Sequence, residues 1–77
     1  MRGLEGKAAI VTGGGGGIGS AICRRLADGG ARVGVFDLDA AAAERTVASL
    51  TARGAEAKCY EVDITDHAAV ARAVAAF

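Results

Sequence analysis

Short, continuous apolar runs alternate along this chain with stretches whose apolar residues recur at helical spacing. KAAIVT (residues 7–12) reads as a strand covered on both faces. Beyond a run of glycines, Ile18, Ile22 and Leu26 recur every fourth position, with Arg24, Arg25 and Asp28 on the other side. That spacing predicts an amphipathic helix stopped by Gly29 and Gly30. ARVGVFD (residues 31–37) is a second buried strand ending on an acid, and Asp39 can cap a helix over 40–53 that carries Val47 and Leu50 and ends at Gly54. Residues 55–63 read as a third strand, interrupted by Glu56, Lys58 and Glu61. Thr65 or Asp66 then caps a last helix through Val70, Val74 and Phe77. Strands and helices in strict alternation call for parallel strands joined by right-handed crossovers. The predicted fold class is therefore α/β, the N-terminal part of a doubly wound parallel sheet in the order β-α-β-α-β-α.

The glycines, residues 13–17, are the next question. Glycine at this density suits a flexible linker, yet here it joins two segments that both require burial. On the predicted map it lies at the carboxyl end of the first strand and opens the first helix. A chain reversing there needs backbone freedom that glycine alone has. The following helix presents unpaired N–H groups and a partial positive charge, and without side chains in the way a diphosphate can descend on to them. The run fits G-x-G-x-x-G at Gly14, Gly16 and Gly19, and also the wider T-G-x-x-x-G-I-G at Gly13, Gly17 and Gly19, with Thr12 and Ile18 in place. It fails the P-loop pattern, whose required lysine is Ser20 here. Valine at Gly17 is expected to obstruct the diphosphate and to strain the turn.

Asp37 falls about 20 residues beyond the loop, at the end of the second strand, where dinucleotide sites carry an acid for the ribose. An ionised carboxylate there accepts hydrogen bonds from both ribose hydroxyls and repels a 2′-phosphate. Leu38 follows it, and Gly16 stands where a basic loop residue could have offset that repulsion, so NAD is expected over NADP. The alternative for Asp37 is a solvated acid or a helix cap, a role for which Asp39 is better placed.

Composition narrows the function classes. Nine basic and nine acidic residues cancel, which argues against nucleic-acid binding. No apolar run is long enough to span a membrane, and the start, with Arg2, lacks the apolar stretch of a secretory signal. Cys23 and Cys59 are far apart, form no C-x-x-C pair and read as packing residues in a reducing compartment, so a cytoplasmic location is expected. Seventy-seven residues make one small domain at most, burying only roughly 60% of its unfolded surface.

TGGGGGIG (residues 12–19), VFDLD (35–39) and VDITD (62–66), in this order and at these distances, resemble the short-chain dehydrogenase/reductase family over the whole chain. The resemblance implies that Gly13, Gly15, Gly16, Gly17, Ile18 and Gly19 line the pyrophosphate and adjoining ribose. It likewise implies that Asp37 holds the adenine ribose with Leu38 beside the adenine. Asp63 and Ile64 would frame the adenine on its far side, the carboxylate accepting from the exocyclic amine. The residues themselves leave Asp63 open between such a rim position and a turn-forming acid ahead of the helix cap. The implied activity is an NAD(H)-dependent interconversion of a secondary alcohol and a ketone, and the implied substrate is a small molecule. Within the family the motifs resemble hydroxyacyl-thioester dehydrogenases and 3-oxoacyl carrier-protein reductases.

The family's catalytic equipment is not in this sequence. It contains no Asn for an Asn-Ala-Gly segment, and Tyr60, its sole tyrosine, is followed four positions on by Ile64 instead of the lysine of Tyr-x-x-x-Lys. His67, the sole histidine, falls in the first turn of the last helix and reads as solvated. Residues 1–77 are thus expected to be the cofactor-binding half of an NAD(P)-binding Rossmann domain, inactive alone and homo-oligomeric when full length. A non-catalytic nucleotide-binding or sensing module would share the same residues. FAD or S-adenosylmethionine is a third option, disfavoured by the wide spacing that ends in Gly-Ile-Gly. Without a fourth strand beside the first, an apolar edge is exposed, so the chain alone is expected to be poorly folded or oligomeric.

Overall fold

The computed structural model describes residues 3–77, and Arg2 at the start lies outside them. The elements are β1 (Ala8–Thr12), α1 (Gly17–Asp28), β2 (Arg32–Asp37), α2 (Ala40–Ala52), β3 (Ala57–Glu61) and α3 (His67–Ala76). They form one three-stranded sheet in the order β1-β2-β3, with both pairs parallel. Register pairs Val11 with Val35 and Val35 with Cys59, so all three strands run out at the same rim. This is the α/β architecture that the alternating pattern predicts.

Local chemistry sets the helix boundaries. Asp39 Oδ1 accepts from the Ala42 N–H at 3.1 Å and Asp66 Oδ1 from the Ala69 N–H at 3.1 Å, each satisfying one orphan amide of a helix start. Asp66, not Thr65, is therefore the cap of α3. The third strand is shorter than its predicted span of 55–63. At its start, the Ala55 N–H still bonds Leu50 O at the end of α2. At its finish, the Asp63 carbonyl already accepts from Asp66 N–H in a turn.

Alternation along β2 divides the core between the two faces of the sheet. Val33 and Val35 point to one face, where they join Val11, Cys23, Ala43 and Leu50 under α1 and α2. Phe36 points to the other, with Val62 and Ala73 under α3. Phe36, Leu50, Val33 and Val35 are fully buried, and each contributes roughly 1.5–3 kcal/mol on removal from water. Phe77 lies over Gly34, where a Cβ would stand 3.2 Å from its ring.

Two predicted helix faces are corrected. Ile18 is 83% exposed and Ile22 47%, whereas Cys23 is completely buried and Leu26 and Ala27 pack beside it. A residue is displaced by about 100° from its neighbour around a helix, so α1 is rolled by about that angle from the predicted stripe. In α3, Ala73 is buried and Val74 is 48% exposed, so the inward row runs through Ala69, Val70 and Ala73. β1 is likewise not covered on both faces, since Val11 is buried but Ile10 is 39% exposed. β1 is also an edge strand, with β2 as its one neighbour among the described residues. An open edge beside exposed isoleucine templates association. The isolated chain is expected to sediment as oligomers, and a monomer with a sharp, reversible thermal transition would contradict this.

Candidate functional site

The glycine loop leaves the rim of β1 and turns directly into α1. Gly13 has φ +69°, a left-handed conformation that favours glycine, while its N–H still donates to Phe36 O at 2.7 Å. Gly19, the third residue of α1, packs on the loop's own backbone. A Cβ there would overlap the Gly13 carbonyl oxygen and stand 2.8 Å from the Gly13 carbonyl carbon and the Gly14 Cα. Gly15 is pressed against α2, with a would-be Cβ 2.7 Å from the Ala42 Cβ. Gly17 differs. It has no positive φ and open space around it, so valine at this position would not strain the turn, though it would occupy the space in front of α1. Gly16 is the N-cap of α1 and brings no side chain to the first amides, whereas α2 and α3 each open on a capping aspartate.

Asp37 and the loop are joined directly. Its Oδ2 accepts from the Gly15 N–H at 2.9 Å, and its Oδ1 from the Asp39 N–H at 2.9 Å. Each oxygen keeps a lone pair for a further donor. Asp63 lies two residues past the end of β3, where its Oδ1 accepts from the Thr65 N–H at 2.9 Å and the Thr65 hydroxyl at 2.7 Å. The Thr65 hydroxyl, then the Thr65 N–H, hold this carboxyl below its ordinary pKa. One oxygen of Asp63 thus serves as a turn former, and Oδ2 has no hydrogen-bond partner among the described residues.

Two clefts flank the loop. A cleft of about 200 Å³ at the strand ends is lined by Gly13, Phe36, Asp37, Leu38, Val62, Asp63 and Ile64, with Leu38 67% and Ile64 57% exposed. The other, about 240 Å³, runs along the helix side, between Gly15, Gly16, Gly17, Ser20 and Arg24 on one wall and Arg45, Thr46 and Ser49 on the other.

Comparison with known proteins bears on what this loop belongs to. Residues 7–77 match the family model for short chain dehydrogenases. The chain belongs to the short-chain dehydrogenase family. Against the 2,3-dihydro-2,3-dihydroxybenzoate dehydrogenase of Bacillus subtilis it is 41% identical over 69 residues, covering 90% of this chain and 26% of that protein. It superimposes on apo LigD from Sphingobium with a TM-score of 0.92 at 34% identity, covering 96% of this chain and 32% of that one. On the NADH complex of 3-ketoacyl-(acyl-carrier-protein) reductase from Brucella melitensis the TM-score is 0.85 at 39% identity, covering 96% and 29%. The chain therefore spans between a quarter and a third of the short-chain dehydrogenases it matches.

Of the ten residues that the short-chain dehydrogenase resemblance singles out, the strand-end cleft brings together Gly13, Asp37, Leu38, Asp63 and Ile64. Gly15, Gly16 and Gly17 line the helix-side cleft, Gly19 underlies the loop and Ile18 projects outward. Tyr60 is a packing residue of β3, its ring centroid 5.2 Å from Phe36 and 6.4 Å from Phe77. Sequence reading missed three neighbours of the loop, namely Arg24, Arg45 and Thr46. Thr46 shares an inward row with Ala42, Ala43 and Leu50, and this spacing of three and four was the available signal.

Proposed function

We propose that the chain is the dinucleotide-binding part of an NAD(H)-dependent short-chain dehydrogenase that interconverts a secondary alcohol and a ketone on a small molecule. The observation that carries this reading is the uncapped start of α1 beside Asp37, whose Oδ2 already reaches the loop through the Gly15 N–H. The residues fit the cofactor, because Gly19 and Gly15 keep the loop low and no side chain covers the α1 amides. Unpaired amides at the positive end of a helix suit a diphosphate. Asp37 takes the two hydroxyls of the adenine ribose on its remaining lone pairs, and Leu38 and Ile64 offer exposed apolar surface for the adenine, with Asp63 Oδ2 as acceptor for its amine. The nicotinamide supplies hydride transfer. This chain's residues bind and orient the adenosine diphosphate part, and Gly13, Gly16, Gly17, Ile18 and Gly19 shape the loop around it.

Preference for NAD rests on charge. Asp37 opposes a 2′-phosphate, while Arg24 and Arg45 bring positive charge to the far wall of the loop. The carboxylate lines the strand-end cleft with Asp63 and no basic residue, whereas both arginines line the other cleft. A hydroxyacyl-thioester or 3-oxoacyl carrier-protein substrate is the finer reading, supported by the likeness to the Brucella melitensis reductase. A cytoplasmic homo-oligomer remains part of this proposal for the full-length protein, and no helix among the described residues is long and apolar enough to cross a membrane. Titrating the full-length protein with NADH and NADPH is expected to give at least about tenfold tighter binding of NADH, the value of one charge-assisted bond. Equal affinities would remove Asp37 as selector, and binding of neither would end the dinucleotide reading.

A further inference from the structure

Thr46 is the one buried polar residue among those described, only 6% exposed, on the inner face of α2. Its hydroxyl donates to the Gly14 carbonyl at 3.0 Å across 32 residues of chain, and no backbone N–H among the described residues donates to that carbonyl. The Gly14 carbonyl and the Gly15 N–H are the two polar ends of a single planar peptide unit. The Gly15 end donates to Asp37 Oδ2 at 2.9 Å. One glycine–glycine peptide is therefore held from both sides, by a hydroxyl on α2 and by a carboxylate at the end of β2.

Two glycines flank this peptide, so little in the local chain resists its rotation. A Cβ on Gly14 would stand 2.8 Å from Val35 Cγ1 and one on Gly15 2.7 Å from the Ala42 Cβ, so only glycine fits at either end of this peptide. We infer that Thr46 is a positioning residue for dinucleotide binding, orienting the Gly14–Gly15 peptide so that Gly15 N–H fixes Asp37 for the ribose. Loss of the hydroxyl leaves a buried carbonyl without a donor, and rotating the peptide towards another donor turns Gly15 N–H away from Asp37. The inference rests on the dinucleotide reading above and adds a residue outside the glycine motif.

The test is a double-mutant cycle on the full-length protein, read as the dissociation constant of NADH. Thr46→Val keeps the shape and removes the donor, and is expected to weaken NADH by about tenfold. Thr46→Ser keeps the donor and is expected to stay within about threefold of the parent. On an Asp37→Ala background, Thr46→Val is expected to add less than about twofold, because both act through one peptide. Equal losses from Thr46→Val on both backgrounds, no loss at all, or a Thr46→Ser as weak as Thr46→Val would each overturn the inference. If Thr46→Val does not fold, Thr46→Ala takes its place in the cycle. Failure of both to fold would assign the hydroxyl to global stability and overturn the positioning role. A parent protein that binds no NADH sinks the dinucleotide reading itself, whereas a parent that binds and a Thr46→Val that matches it sink only this inference.

Discussion

Gly19→Ala is expected to cost the full-length protein both stability and nearly all dinucleotide affinity. The new methyl would overlap the Gly13 carbonyl oxygen and stand 2.8 Å from two further backbone atoms, none of which can move as a flexible side chain would. Overpacking of this kind costs roughly 1–3 kcal/mol. Relief requires the loop to lift from α1, which withdraws its amides from a diphosphate. Loss of two charge-assisted bonds corresponds to roughly a hundredfold or more in affinity. Thermal unfolding and NADH calorimetry read the two effects separately. Gly17→Ala is the control, since that position meets open space and should leave the melting temperature nearly unchanged. A Gly19→Ala protein that melts and binds like its parent would show that the loop does not pack this way in solution.

Asp37→Ala is expected to weaken NADH at least about tenfold, since one charge-assisted hydrogen bond contributes roughly 1.5–3 kcal/mol. The substitution also strips the Gly15 and Asp39 N–H groups of their acceptor, so part of the loss is loop order instead of direct contact. Removing the negative charge should hurt NADPH less, because its 2′-phosphate no longer meets a carboxylate. The ratio of the two dissociation constants is therefore more diagnostic than either alone. Unchanged NADH affinity, or an unchanged ratio, would take Asp37 out of the site.

Both substitutions act where local chain signals and long-range packing meet. Gly19 and Asp37 stand out in the sequence because a fixed spacing links strand, loop, helix and next strand. Neither the atom that excludes a methyl at Gly19 nor the N–H that anchors Asp37 can be read from that spacing. Thr46 is a sharper case. It reads as an ordinary polar position in an alanine-rich helix, and only its place opposite the loop turns it into the donor for Gly14. Arg24 and Arg45 likewise enter the picture when α1 and α2 pack side by side across the same sheet face.

By itself the sequence determined the order of elements, the Asp39 cap, the glycine turn and the acids at the end of β2 and just beyond β3. Each of these depends on period, propensity and chemistry within a few residues of one chain segment. Tertiary structure alone decided that α1 buries Cys23 instead of Ile18 and Ile22, and that Thr46 and Asp37 hold one peptide between them. Those outcomes depend on how far each helix rolls against the sheet, and contacts between residues distant in sequence set that roll.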